Sequence, residues 1–277
     1  MADDGGSARL MTWNVWWRFG PEWRERQGAI LHTIREVGPD VVGLQEVWGT
    51  AETSQAHELA EQLGRHAAFV SPGLPPAPVP VENEDQEGVL LGLGLVSRWP
   101  ITDSHAVEMP SRHRSPAPVA LCASIEHPSG PLHVVVANAE WQPAYNDDRS
   151  ATAHRLVELA FDPAYDGAVP VVLMGDLNAP PDDPVLRPAY DLMVDTWAAG
   201  DGDPDGVTLP ISHPQAAVEA EHLIDRRIDH IFLRPGQPDL VIEVSATRDV
   251  GDAVDGVIPS DHRAVVCDVT WVMKQLS

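Results

Sequence analysis

Lysine is almost absent. The chain has one, Lys274, and 18 basic residues in all against 42 acidic ones, for a formal net charge of −24. A protein that grips a nucleic-acid backbone clusters Lys and Arg on its contact surface. The charge therefore disfavours nucleic acid as a partner, although Arg112 with Arg114 and Arg226 with Arg227 form two small basic groups. Cysteine is nearly as scarce. Cys122 and Cys267 both lie in apolar, strand-like segments and read as buried free thiols, so nothing calls for an oxidising compartment. No apolar run approaches the roughly 18 residues that a membrane helix needs. The opening Met1-Ala2-Asp3-Asp4-Gly5 lacks the basic and apolar regions of a secretory signal. The expectation is a cytoplasmic protein, a monomer, without a transmembrane segment.

Apolar residues make up 43% of the 277, enough for a large core, and no repeat or composition shift splits the chain. The stretch expected to organise it is Val171-Val172-Leu173-Met174, a buried strand ending abruptly in Gly175-Asp176-Leu177-Asn178 and then Ala179-Pro180-Pro181. Ile30, Leu31, Ile34 and Val37 recur at helical spacing and predict a helix over 21–37, stopped by Gly38-Pro39. Further helices are predicted over 51–63, over 146–161 with Asn146 as cap, and over 183–193. Strands are predicted over 10–17, 40–46, 67–70, 89–96, 119–126, 132–139, 227–233, 240–244 and 264–271. The segment 71–87, first proline-rich and then acidic, reads as a long loop, 198–217 as irregular, and about 1–7 as a short flexible start. Strands alternate with helices early and gather late, which means an α/β protein with a partly antiparallel sheet.

Polar residues stand where several of these strands open into loops. They are Asn14, Glu46, Asp176 with Asn178, Asp229, and Asp261-His262 in the turn before the last strand. Asp and Asn in such places often shape turns by bonding their own backbone. They also build active sites, when several strands contribute one side chain each. The motifs Trp13-Asn14-Val15, Leu44-Gln45-Glu46, Gly175-Asp176-Leu177-Asn178, Arg227-Ile228-Asp229-His230-Ile231-Phe232 and Ser260-Asp261-His262 follow one another in this order over nearly the whole chain. Together they resemble those of the endonuclease/exonuclease/phosphatase superfamily, the deoxyribonuclease-I-like fold.

The resemblance implies one domain over 1–277 built as a four-layer α/β/β/α sandwich, with two mixed sheets face to face and helices outside. It also implies hydrolysis of a phosphate ester with a divalent cation, usually Mg²⁺, with Mn²⁺ or Ca²⁺ as substitutes. Phosphate esters resist attack because their oxygens are negatively charged, and a hard cation held by one or two carboxylates neutralises that charge. On the family pattern Glu46 is the principal metal ligand, with Asn14 beside it and Asp261 as a second carboxylate. Asp176 orients the attacking water and Asn178 hydrogen-bonds the phosphate. Asp229 fixes the tautomer of His262, which serves as base or as phosphate clamp.

The chain departs from the family at the end of the strand over 132–139, where a histidine is usual. It reads Val136-Ala137-Asn138-Ala139-Glu140-Trp141, so Asn138 or Glu140 takes that place. His133 lies an odd number of residues from both and faces the other way on an extended strand. Tyr145 and Arg149 are further substrate-binding candidates, by proximity and by a match to a family arginine. Trp13, Trp16, Trp17 and Trp23 are read as packing rather than as cleft walls. Arg112-His113-Arg114 is either a second phosphate contact or a solvated loop. The expected activity is Mg²⁺-dependent hydrolysis of a small-molecule or lipid-linked phosphodiester or monoester. The alternatives are a DNA or RNA nuclease and a catalytically impaired binding module. Specificity is expected in the loops 71–87, 112–118, 141–148 and 198–217.

Overall fold

Strand 132–138 shows why the molecule has layers. Leu132, Val134 and Val136 point to one face and Val135 and Ala137 to the other, and all five are buried. A strand that is apolar on both faces must be covered on both. The computed structural model, which describes residues 5–214 and 225–274, meets that demand. In chain order the elements are β1 (Gly6–Asn14), α1 (Trp23–Val37), β2 (Val41–Gly49), α2 (Gln55–Leu63), β3 (His66–Val70), β4 (Leu90–Ser97), β5 (Ile101–Glu108), β6 (Val119–His127) and β7 (Gly130–Asn138). They continue with α3 (Asn146–Ala160), β8 (Val171–Asp176), α4 (Arg187–Leu192), β9 (Val194–Asp195), α5 (Thr196–Ala199), β10 (Asp229–Arg234), β11 (Leu240–Val250) and β12 (Ala264–Met273).

Two six-stranded sheets form, in the orders β11-β12-β1-β2-β4-β3 and β5-β6-β7-β8-β10-β9. Their inner faces share one core, in which Leu10, Val41 and Leu95 meet Val134, Val136, Val172 and Met174. Outside the first sheet, Ile30 and Ile34 of α1 with Leu59 of α2 cover Met11, Val42 and Val266. Outside the second, Leu156, Val157 and Ala160 of α3 cover Val135, Val171 and Leu173. This is the four-layer deoxyribonuclease-I-like sandwich. Both cysteines are buried and free, as their surroundings implied. Among the described residues, no helix is long and apolar enough to cross a membrane.

Each sheet is mixed because each holds a parallel pair, β1 with β2 and β7 with β8. Such a pair needs a crossover, supplied here by α1 and by α3. Two glycines mark close approaches. At Gly43 a Cβ would sit 2.6 Å from the Met174 sulfur across the inner core, and at Gly175 it would sit 1.9 Å from the Ala137 carbonyl oxygen.

Some boundaries differ from expectation. Helix α1 begins at Trp23 rather than at Pro21, and α2 begins at Gln55, with the Ser54 hydroxyl accepting from His57 N–H at 3.4 Å. The helix expected over 183–193 is a short 3-10 turn followed by α4. Strand β11 runs to Val250, and β1 already begins at Gly6. Strand β5 was not expected at all. Its sequence, ITDSHAVE, is polar on both faces and mostly exposed, because it forms the outer edge of its sheet. Polar edges resist pairing with other chains and erase the alternating signal by which strands are read. Residues 215–217 of the predicted irregular segment lie outside the described residues.

Candidate active site

The two parallel pairs end at the same place. Asn14 closes β1 opposite Gln45 of β2, and Asn138 closes β7 opposite Asp176 of β8. Just past Gln45 the pairing of β2 with β4 shifts register, and Glu46 takes a left-handed backbone with φ of 53°. Such a bulge re-aims a side chain out of the strand's alternation. Asn178, at φ 50°, turns the chain at the end of β8. The Gly-Asp-x-Asn motif thus has a backbone reason for its glycine, since any side chain at Gly175 would part β8 from β7.

Side chains from both sheets meet across this end. The Asn14 amide Nδ2 donates to Glu46 Oε1 at 2.8 Å and to Asp176 Oδ2 at 3.1 Å. His262 Nδ1 donates to Asp229 Oδ2 at 2.9 Å, and its Nε2 lies 3.8 Å from Asp176 Oδ2. Ser260 Oγ donates to the Asn14 carbonyl at 2.7 Å and accepts from His262 N–H at 3.3 Å, which fixes the last loop to β1. Asn14, Glu46, Asp176, Asp229, Asp261 and His262 are all buried.

Burial at this density moves the protonation equilibria. Burial, and then the neighbouring Asp261 charge, raise the Glu46 carboxyl well above the usual range. Burial pushes Asp176 up to about 7, against the pull of the His262 charge and the Asn14 hydrogen bond. Burial alone would lower His262, but the charges of Asp229 and Asp176 outweigh it and hold the imidazole well above its ordinary value. An imidazole raised in this way is an imidazolium at neutral pH.

A cavity of about 360 Å³ opens over these groups. Its wall includes Glu46, Asp176, Asn178, Asp261, His262 and Asn138, with Trp16, Phe19, Trp141, Leu209 and Ile228 as its apolar part. Glu82 and Arg226 complete its charged part. Three of the four loops in which specificity was expected reach this wall, through Pro75 and Glu82, Trp141, and Leu209. The fourth, 112–118, contributes no residue to it.

The substrate-binding candidates separate. Asn138 lies on the wall, its Nδ2 donating to the Leu74 carbonyl at 2.6 Å and its Oδ1 accepting from Asn178 Nδ2 at 3.2 Å. Asn178 Nδ2 also donates to the Ala139 carbonyl at 2.9 Å. Glu140 is turned away and takes two 2.8 Å hydrogen bonds from Arg114. Tyr145 stacks on His113 at 4.0 Å between ring centroids and is not on the wall. Arg149 Nη2 donates to Asp183 at 2.7 Å and to the Asn178 carbonyl at 3.2 Å, bracing the loop from behind. His133 stacks on Tyr165 at 4.4 Å, away from the cavity. The 112–114 loop is fastened to α3 by buried Asp148, which accepts from His113 Nδ1 at 2.9 Å. Of the tryptophans, Trp13 and Trp17 are buried packing, whereas Trp16 forms part of the cavity wall.

Sequence reading missed two groups altogether. Thr208 Oγ1 accepts from Ile228 N–H at 3.0 Å and Asp229 N–H at 3.2 Å, positioning the start of β10. Arg26, an ordinary helix residue by pattern, lies buried behind Trp16. Neither has a local sequence signal, because both act by holding backbone groups of a neighbouring turn or strand rather than through a pattern of their own.

The model for the Endonuclease/Exonuclease/phosphatase family matches residues 11–262. The chain belongs to that family. It is accordingly a metal-dependent phosphoric ester hydrolase. Solved structures of the family's fold superpose over nearly its full length. The catalytic domain of human Nocturnin, with bound sulfate anion, aligns with a TM-score of 0.72 at 20% identity, over 96% of this chain and 95% of that one. D. rerio TDP2 complexed with single strand DNA product aligns at 0.74 and 17% identity, over 95% and 99%. An endonuclease/exonuclease/phosphatase from Beutenbergia cavernae aligns at 0.69 and 26% identity, over 95% of this chain and 71% of that one. No curated protein matches the chain in sequence.

Enzymes of the family use divalent metals, and the residues here fit one. Glu46 and Asp261 offer hard oxygen donors crowded together, and neither has an ion-pair partner among the described residues. A divalent cation relieves that crowding. Asp176, Asp229 and His262 also bring ligand-capable atoms within 4.8 Å of one another. That group is less suited to a cation, because His262 already donates Nδ1 to Asp229 and is held in its charged form.

Proposed function

We propose that the protein hydrolyses a small-molecule or lipid-linked phosphate ester, monoester or diester, with Mg²⁺ held by Glu46 and Asp261. The composition of the cavity wall carries this reading. Glu46, Asp176, Asp261 and Glu82 face it against one arginine, Arg226, and the remainder includes aromatic and aliphatic surface. A bound cation balances the charge of one phosphate group there, and among the described lining residues a polyanion would meet only Arg226 and the His262 imidazolium as positive groups. The formal net charge of −24 points the same way.

The site residues divide the work as follows. Mg²⁺, when bound, supplies the positive charge that neutralises the phosphate oxygens. Asp176 orients the attacking water and takes its proton, a task suited to a carboxyl raised to about 7. His262, held as imidazolium by Asp229, clamps a phosphate oxygen and stabilises the charge that develops on it. Asn14 keeps Glu46 and Asp176 at a fixed spacing, with one amide bonded to both. Asn178 exchanges its 3.2 Å bond to Asn138 for a phosphate oxygen.

A substrate panel tests the assignment. Bis-p-nitrophenyl phosphate, p-nitrophenyl phosphate, a lysophospholipid, plasmid DNA and RNA are each offered with Mg²⁺ and with EDTA. Turnover of the small or lipid esters that EDTA abolishes is expected. Rapid nicking of plasmid or degradation of RNA, with the small and lipid esters untouched, would reverse the ranking.

A further inference from the structure

The turn that follows Asn14 is built against local preference. Trp16 and Trp17 both have positive φ, 57° and 28°. Bulky residues avoid that region. The turn is nevertheless wired into the site at two points. Trp16 N–H donates to Asn14 Oδ1 at 3.0 Å, which leaves Asn14 Nδ2 to face Glu46 and Asp176. Trp17 N–H donates to the Glu46 carbonyl at 2.8 Å and so pins the bulge that aims Glu46.

What holds the turn in place is Arg26, near the start of α1 and only 2% exposed. Its Nη1 donates to the Val15 carbonyl at 3.3 Å. Its Nη2 donates to the carbonyls of Trp16 at 3.2 Å, Trp17 at 3.3 Å and Phe19 at 2.7 Å. The guanidinium carbon also lies 4.5 Å from the centroid of the Trp16 ring. A buried arginine normally has a carboxylate partner. Arg26 forms no ion pair among the described residues, and backbone oxygens of a single turn take most of its donors.

We propose that Arg26 is a positioning residue for the metal end of the site. By gathering the carbonyls of the 15–19 turn, it sets the two N–H groups that orient Asn14 and Glu46 for the cation. The inference rests on Glu46 being a metal ligand, as argued above. It predicts a sign that charge alone does not. Arg26 lies within electrostatic range of Asp261 and Glu46, so its charge opposes a cation bound there. On charge alone, neutralising Arg26 would tighten metal binding. On positioning, it loosens it.

The experiment measures Mn²⁺ and Mg²⁺ affinity by titration calorimetry on the whole chain, for wild type, Arg26→Lys, Arg26→Gln and Glu46→Gln. Folding of each is checked by circular dichroism. Arg26→Lys keeps the charge but cannot span the set of carbonyls, and Arg26→Gln carries the test if the lysine variant does not fold. Both are expected to weaken metal binding about 10- to 100-fold, with a matching rise in the metal concentration needed for half-maximal turnover. The KM for the ester at saturating metal should change little. Metal affinity equal to or tighter than wild type in a folded Arg26 variant overturns the proposal, whatever the melting temperature does. If Glu46→Gln binds metal as wild type does, the metal assignment itself is what fails.

Discussion

His230 provides a sharp test of how the site is supported from beneath. It is fully buried beside Asp229, with Nε2 donating to the Ala179 carbonyl at 2.9 Å and Nδ1 accepting from Arg227 Nη1 at 3.2 Å. Burial, and then the Arg227 charge, hold its imidazole down at about 3. In the unfolded chain an imidazole titrates at about 6.5. Below that pH the unfolded state therefore binds a proton that the folded state refuses, so stability falls as pH falls from 6.5 towards 3 and is full above 6.5. Two pH units separate 6.5 from 4.5, and at about 1.36 kcal/mol each the loss between pH 7.5 and pH 4.5 is about 2.7 kcal/mol. His230→Gln keeps a donor for Ala179 and an acceptor for Arg227 but does not titrate. Chemical denaturation of both proteins at the two pH values isolates the effect, because every other titrating group is common to them. The wild type should lose about 2.7 kcal/mol more than the variant, or roughly 5–10 °C in melting temperature for a chain of this size. Parallel pH profiles would show that His230 is not held neutral and would refute the reasoning.

Three further substitutions have expected outcomes. Asp229→Asn removes the charge that holds His262 as imidazolium, and steady-state kinetics on a small ester should show kcat reduced about 10²- to 10⁴-fold with the fold intact. Thr208→Ala strips the acceptor from the N–H groups of Ile228 and Asp229, and denaturant titration should register a loss of about 1–3 kcal/mol or more. Gly175→Ala sets a methyl against the Ala137 carbonyl and should cost more than about 4 kcal/mol, visible as a large fall in melting temperature or as failure to fold.

The polar ends of the strands were legible in the sequence because each combines a bare apolar run with an abrupt polar turn. Asp176 after Val171-Val172-Leu173-Met174 is the plainest case. The layers were legible for a related reason, since strands apolar on both faces, like β7, demand cover on both. What escaped notice was whatever depends on a partner that the local pattern does not place. Glu140 reads as a substrate ligand until Arg114 is found bonded to it, 26 residues earlier. Arg149 reads as a phosphate contact until Asp183 is seen to claim it. Arg26 sits on a helix whose polar positions look solvated, and only the fold carries the 15–19 turn over it. Strand β5 was hidden for the opposite reason, having no buried face to advertise.

The meeting of two parallel strand pairs also bears on how the molecule acquires activity. Asn14 and His262 nearly bracket the chain, and β1 is locked between β2 and β12, with Gly6 paired to Trp271. Neither terminal half therefore contains a site of its own. Contacts of such sequence separation are slow to form, because a long loop must close before they contribute anything. Each sheet can gain its hydrogen bonds before the two have docked, but the Asn14 amide bridges Glu46 and Asp176 only afterwards. During refolding, recovery of turnover should trail recovery of secondary structure, which makes catalysis a clock for the closure of the sandwich.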